Sequence, residues 1–473
     1  MEAYIMERGY VSPNDAGIMA GSDSRSIQNA VNAALASGLG KVVIPRYNKR
    51  TGACRWDVDE AVTLDSDLEI VLDNCYIRQM DGSMDNVFRN HDDIHIRKTL
   101  QEEQHNIIIR GLGNAVIDGG EPNGLNQETS GQDGRPDVEK NNVIRLHNLR
   151  YFRLENFTIL NQRWWAINLC HVEEGMISGL HISCGAEGRN LDGIDLRFGC
   201  NNITIQDLTG QSQDDFIALS AFRSAAMIDK YQIEGKSLDI HDINIRNIAA
   251  TSAECAVIAL RNQDGIKIYN ITMDGIYDTI TSQELAVENP TFAFRAGFDN
   301  NRYSSPKSPY AVIRIGQEGW IRDYPCAPGD VHSIYVNNVR ARCNSAVMIN
   351  MHIENCYFGN IYAADSANCV ISTSSCRSRQ TYGANIRDTV FENIFYECKD
   401  NEDSLAFAFV VNTKAHTMEN VHIRNAFLGN CRKVLDMQHG GNLTLENIHC
   451  THCKNKISVC PEATVTLDGK RLQ

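Results

Sequence analysis

The 473-residue sequence has no apolar run near the ~20 residues that a membrane-spanning helix needs, so no membrane partner is expected. It has no basic block and no acidic tail, because its net charge of -14 is spread along the chain. Nucleic acid is thereby excluded as an expected partner. The opening residues, MEAYIMERGYVSPND, lack a positive region followed by an apolar stretch and a small-residue cleavage site. No secretory leader is read, and the expected location is cytoplasmic. In that setting the 16 cysteines read as reduced thiols that behave as small buried hydrophobes. Cys450 and Cys453 in CTHC have no second such pair at zinc-finger spacing, and Cys460 does not complete one, so no structural zinc is expected.

What the chain does have is self-similarity. Its length exceeds that of a usual single-core domain, which leaves several domains or an elongated repeat. Phrases such as FRLENFTIL, NITIQDLTG, INIRNIAA and VHIRNAFLG alternate β-branched residues and end on an Asn-apolar pair. Matched positions lie 23 residues apart for Asn156 to Gly179 and Asn247 to Asn270, and 22 apart for Asn338 to Asn360 and Asn425 to Asn447. That step is one coil of a β-solenoid, whose stacked short strands join their apolar faces into one column. The expected fold is all-β, a right-handed parallel β-helix over residues 1–473 as one domain.

Within NITIQDL, Ile203 and Ile205 point inward, and Thr204 and Gln206 outward. Asparagines at equivalent turns can stack their amides from coil to coil, which is how the sequon-like Asn156, Asn202, Asn270 and Asn442 are read. Residues 22–45 supply an end cap: Ile27, Ala30, Val31, Ala34 and Leu35 share a helical face, Ser22 to Ser24 offer the N-cap, and Gly38 or Gly40 ends the helix. Residues 118–141, 222–236 and 281–309 break the period and read as loops over a binding face.

Three acids stand out in the stretch from Glu187 to Ser220. Asp192 and Asp214 are 22 residues apart, one coil, which predicts side chains about one strand spacing, ~4.8 Å, apart on one face. Asp215 adjoins Asp214. Glycoside hydrolysis needs one carboxyl to protonate the leaving oxygen and another to act across the sugar ring, and crowding of like charges helps one hold its proton. Asp-Gly and Asp-Asp are also ordinary turn sequences, so spacing alone leaves both readings open.

NLDGID, Asn190 to Asp195, followed by QDDFIAL, Gln213 to Leu219, resembles the paired motifs of the polygalacturonase family, glycoside hydrolase family 28. The phrases SRSIQNAVNAALASGLGKVVIP, IIIRGLGNAVIDGGE and NVIRLHNLRYFRLENFTILNQRWWAINL resemble that family's capping helix, first coils and tryptophan-bearing coil. The resemblance covers about the first half of the chain in order. It implies an inverting hydrolase acting on pectin-type, cell-wall oligosaccharide, without metal or cofactor. Asp214 would be the general acid, with Asp192 and Asp215 holding and deprotonating the water. Asn190 and Gln213 would bond the substrate, and Trp165 would serve as a sugar platform or as packing between coils.

Two family motifs are altered. The expected Gly-His-Gly reads AECAVIAL, Ala253 to Leu260, with no histidine; Glu254 and Cys255 sit there. The Arg-Ile-Lys motif reads VIRIGQE, keeping Arg314 but placing Gly316 at the lysine. One charged contact to a uronate is thus gone, for which Arg163, Arg189, Arg197 and Arg261 can substitute as bidentate carboxylate ligands. Two other functions fit the same fold. One is a polysaccharide lyase or glycan transferase, in which the acids would hold Ca2+. The other is a noncatalytic carbohydrate-binding solenoid.

Overall fold

The computed structural model describes residues 6–92, 102–184, 190–221, 230–253, 255–262, 265–280, 311–316, 326–342, 345–365, 369–373, 384–398, 404–409, 417–438, 440–454 and 456–472. The expected loop 281–309, most of 222–236, Arg189 and Glu254 lie outside them. Among the described residues no helix is long and apolar enough to cross a membrane. The chain is an all-β, right-handed parallel β-helix, and it divides into two compact units: Met1–Gln213 with Ala225–Leu238, and Asp214–Ser224 with Asp239–Gln473.

The first unit opens on helix α1, Asp23–Ala36, N-capped by Ser22, whose side chain accepts from Arg25 N. Ile27, Ala30, Val31 and Ala34 form its buried face. Past its end Gly38 adopts φ +72, a left-handed value that costs glycine little. Strand Lys41–Pro45 then pairs in parallel with Leu68–Asp73, and the coils follow. One interior column runs Val42, Ile70, Ile109, Leu154, Ile177, Ile205, one residue per coil and all fully buried. The period of two in NITIQDL does put Ile203 and Ile205 inside.

The second unit repeats the design with its own column, Ile245, Met273, Val336, Phe358, Phe391, Ile423, Leu445. Outside that column an asparagine ladder climbs the stack. Asn360 donates to Asn337 Oδ1 at 2.8 Å, Asn393 to Asn360 at 3.2 Å, Asn425 to Asn393 at 3.3 Å and Asn447 to Asn425 at 2.9 Å. Asn360, Asn393, Asn425 and Asn447 all have φ between +52 and +57, which Asn tolerates better than other side chains.

The register corrects one expected pairing. Asn247 stacks on Gly275, since Arg246 pairs Asp274 and Ile248 pairs Ile276. Asn270 instead belongs to a second turn ladder and donates to Asp242 Oδ1 at 3.1 Å. This coil is longer than the 22–23 residue step, so counting one such step from Asn247 lands on the wrong turn. Asn442 is no turn residue either: it is an exposed strand residue paired with Thr464.

Asn360→Ala should lower stability by about 2–3 kcal/mol, combining the left-handed penalty of about 1–2 kcal/mol with two exposed amide bonds. Asn360→Gly, which relieves the first cost, should lose only about 1 kcal/mol. Urea unfolding of both variants checks the ordering.

Candidate active site

In the first unit the turn before strand Ile194–Leu196 carries the first acid. Asn190 takes φ +55 and starts it. Leu191 is bracketed by Gln213, whose N–H donates to Leu191 O at 3.2 Å and whose Oε1 accepts from Leu191 N at 3.5 Å. Gln213 is therefore a brace of the turn. Asp192, 3% exposed, has its carbonyl held by Ala166 N at 3.0 Å and by the Gln162 amide at 3.3 Å. The residues that follow Leu191 and Gln213 in the chain are Asp192 and Asp214.

Strand alternation then adds an acid that the sequence reading did not single out. Asp195 stands in register with Asn168, which stands in register with Arg145, so three buried polar residues line one row. The signal was present in the motif phrase itself, since NLDGID ends on Asp195. Two residues on, the Arg197 guanidinium lies over the Trp165 ring, 4.8 Å from its centroid, and 5.6 Å from that of Tyr231. Trp165 also sits beside the buried Trp164, ring centroids 5.9 Å apart. The Trp165 ring is thus packed against the chain's own cation.

Arg163 is committed. Its Nη1 donates to Ser83 O at 2.8 Å and its Nη2 to Met80 O at 3.0 Å, and burial lowers its pKa to about 10. With both terminal nitrogens on main-chain carbonyls it clamps two turns together, and it cannot offer the bidentate fork expected for a substrate carboxylate.

Close by, the His171 ring faces Tyr231 O at 2.9 Å, and burial, with a smaller repulsion from Lys236, lowers its pKa to about 3. The folded protein therefore stays unprotonated there while the unfolded chain takes up a proton below pH ~6.5. Stability should fall as pH drops from about 6.5 toward 3, by up to about 1.4 kcal/mol per pH unit from this group. His171→Asn, which also suits the φ of +50 at this position, should flatten that slope in a thermal-melt series.

In the second unit Asp214 is half-buried and Asp215 is fully buried. Ser252 Oγ donates to Asp214 O at 2.6 Å and accepts from Cys255 N at 2.9 Å, which ties the two segments together. Asp215 Oδ1 accepts from Ala256 N at 3.1 Å, and Oδ2 forms an ion pair with Arg261. The carboxylate that Arg261 binds is thus the chain's own, which corrects the expectation that it grips substrate. Cys255 Sγ lies within 4.8 Å of carboxylate oxygens of both acids, and Arg314 Nη1 approaches that sulfur at 3.9 Å. Two guanidiniums therefore stand against this acid cluster.

Gly316, which the resemblance sets at a lysine position, has a backbone that only glycine suits. Its φ is +108, and an added Cβ would meet Asn350 C at 2.7 Å and Met351 N at 2.8 Å. The backbone there admits no side chain.

Comparison with curated protein sequences gives no match. Among solved structures, the family 28 exopolygalacturonase of Yersinia enterocolitica aligns with 96% of this chain and 78% of its own at 13% identity and TM-score 0.54. A tailspike protein of E. coli bacteriophage HK620, solved in complex with a hexasaccharide, aligns with 98% of this chain and 79% of its own at 12% identity and TM-score 0.57. At such identities the likeness is one of fold. The sequence goes further: residues 79–240, the segment that holds Asp192, Asp214 and Asp215, match the family model of glycosyl hydrolases family 28.

Proposed function

We propose that the chain is an inverting glycosidase of the polygalacturonase-like class, cleaving a glycosidic bond in a plant or microbial oligosaccharide. The observation that carries this reading is the unequal setting of the two adjacent acids. Asp215 is buried and held as a carboxylate by Arg261 and the Ala256 N–H. Asp214 stands nearer solvent, half-buried, and is the one of the two whose carboxyl a substrate oxygen can reach. Asp214 then protonates the departing glycosidic oxygen. Inversion, the outcome that the family 28 resemblance implies, has water attack the anomeric carbon from the opposite face, with its proton passing to Asp215. Asp192 is assigned the second water-holding role from the family 28 resemblance.

The substrate needs little charge recognition, since Arg163 and Arg261 are committed within the chain and position 316 bears no side chain. A panel of neutral and uronate-containing plant oligosaccharides, followed by release of reducing ends, tests the reading. Turnover on at least one member is expected. A product that absorbs as an unsaturated uronate, formed only with Ca2+, would replace hydrolysis by elimination.

A further inference from the structure

Strands Thr417–Gly429 and Gly440–Thr451 of the second unit run in parallel, with Gly429 opposite Thr451. Two residues past these strand ends stand Cys431 and Cys453, 22 residues apart, which is one coil. Main-chain bonds hold the two segments together on either side of the pair: Asn430 N donates to Thr451 O at 3.0 Å, and Lys454 N to Cys431 O at 3.3 Å. We infer that these two cysteines are a site of reversible disulfide formation, a covalent staple between consecutive coils.

Distance is the first ground. The two sulfurs lie 3.2 Å apart, with the Cys431 thiol donating to Cys453 Sγ. Bonded sulfurs are about 2.05 Å apart, so closure needs a movement on the order of 1 Å. Neighbouring strands set their Cα atoms ~4.8 Å apart, inside the span of about 4.4–6.8 Å that a disulfide bridges. Leu428 O at 3.3 Å and Thr451 O at 3.5 Å accept from the Cys453 thiol and keep it at this spot.

Access is the second ground. Cys431 is 1% exposed, whereas Cys453 is partly open to solvent. A low-molecular-weight disulfide such as oxidised glutathione therefore meets Cys453 first. The Cys453 thiolate attacks one glutathione sulfur, forms a mixed disulfide and expels one glutathione thiolate. Cys431 then attacks the Cys453 sulfur and expels the second. Each departing glutathione thiolate takes up the proton that its cysteine gave up. Two protein thiols thus lose two electrons, and one oxidised glutathione becomes two reduced ones.

Cys450 is the competing thiol. Desolvation, and then the neighbouring Cys453, push it up to about 11, so it stays protonated near neutral pH and is a poor attacking group. The bond from Cys431 to Cys453 keeps a whole coil closed when its hydrogen bonds open. It uses no residue of the proposed catalytic cluster, and so it stands apart from the glycosidase reading.

The full chain is equilibrated in glutathione buffers from fully reduced to fully oxidised, alkylated and mapped by peptide mass spectrometry. Peptides linked through Cys431 and Cys453 should accumulate as the buffer becomes oxidising and vanish with dithiothreitol. Cys431→Ala should trap glutathione on Cys453, and Cys450→Ala should leave the link intact. Limited proteolysis within the last coils should slow by at least about tenfold on oxidation of the wild type, and not in Cys431→Ala. A link between Cys450 and Cys453, alkylation of both Cys431 and Cys453 in the most oxidising buffer, or loss of the link in Cys450→Ala would overturn the inference. Proteolysis of the wild type unchanged by oxidation would overturn the stapling role.

Discussion

Asp214→Asn is expected to lower kcat on an unactivated oligosaccharide by roughly 10^2–10^4-fold, the usual contribution of a positioned general acid, and to change KM by no more than a few fold. The amide keeps the shape of the side chain but has no acidic proton to give. An aryl glycoside whose leaving group departs without protonation separates this role from others: activity on it should be largely retained in the variant. Equal losses on both substrates would move Asp214 from proton donor to a water-activating or structural role. The position tolerates the change because Asp214 is half-buried, and the bond from Ser252 reaches its main-chain carbonyl.

Arg261→Gln should destabilise the protein by about 3–5 kcal/mol, the cost of stranding a buried charge. Asp215 is fully buried, and among the described residues Ala256 N and Arg261 meet its carboxylate. Removing the guanidinium leaves the buried anion without that counter-charge. The double variant Arg261→Gln with Asp215→Asn should recover most of that stability, because both charges go, while remaining inactive. A single variant whose urea midpoint matches the wild type would show that the pair carries no such burden. This divides the effects of Arg261 on folding from those of Asp215 on chemistry.

The solenoid period was legible because each coil that lacks an insertion repeats one residue pattern at a fixed step. Asn156 to Gly179, Asn338 to Asn360 and Asn425 to Asn447 are true register pairs. The same counting fails where a coil is longer: Ile217 pairs Ile258 and Ile258 pairs Ile313, steps far from 22, and Asn247 pairs Gly275. Insertions do not disturb the apolar columns, but they do remove the arithmetic that identifies neighbours.

The candidate acids could be picked out because aspartate at coil spacing is visible in one dimension. The partners of the arginines were not. Arg163 lies in the turn after one coil yet bonds carbonyls some 80 residues earlier, and Arg261 reaches back 46 positions to Asp215. A guanidinium on the site face reads in sequence as a ligand for substrate, and only three-dimensional placement shows the carbonyl or carboxylate that it already holds. Gly316 is similar: the sequence shows a missing lysine, while the conformation shows a position closed to any side chain.

The aromatic residues of the second unit point to packing rather than to recognition. Tyr362 and Phe395 stack at 5.1 Å with an interplanar angle of 2°, and Tyr335 and Tyr357 at 4.9 Å and 11°. Rings stacked on the coil repeat turn their faces to each other and their edges outward, so each such pair covers the faces that a sugar would use.

The most direct test of the central claim is the anomeric configuration of the first product, followed by proton NMR in the seconds to minutes before mutarotation mixes the anomers. Direct attack by water activated at Asp215, with Asp214 as acid, predicts a first-formed sugar of configuration opposite to that of the cleaved bond. A first-formed product that retains the configuration would require a covalent glycosyl intermediate on one of these carboxylates, and would contradict the assignment of all three.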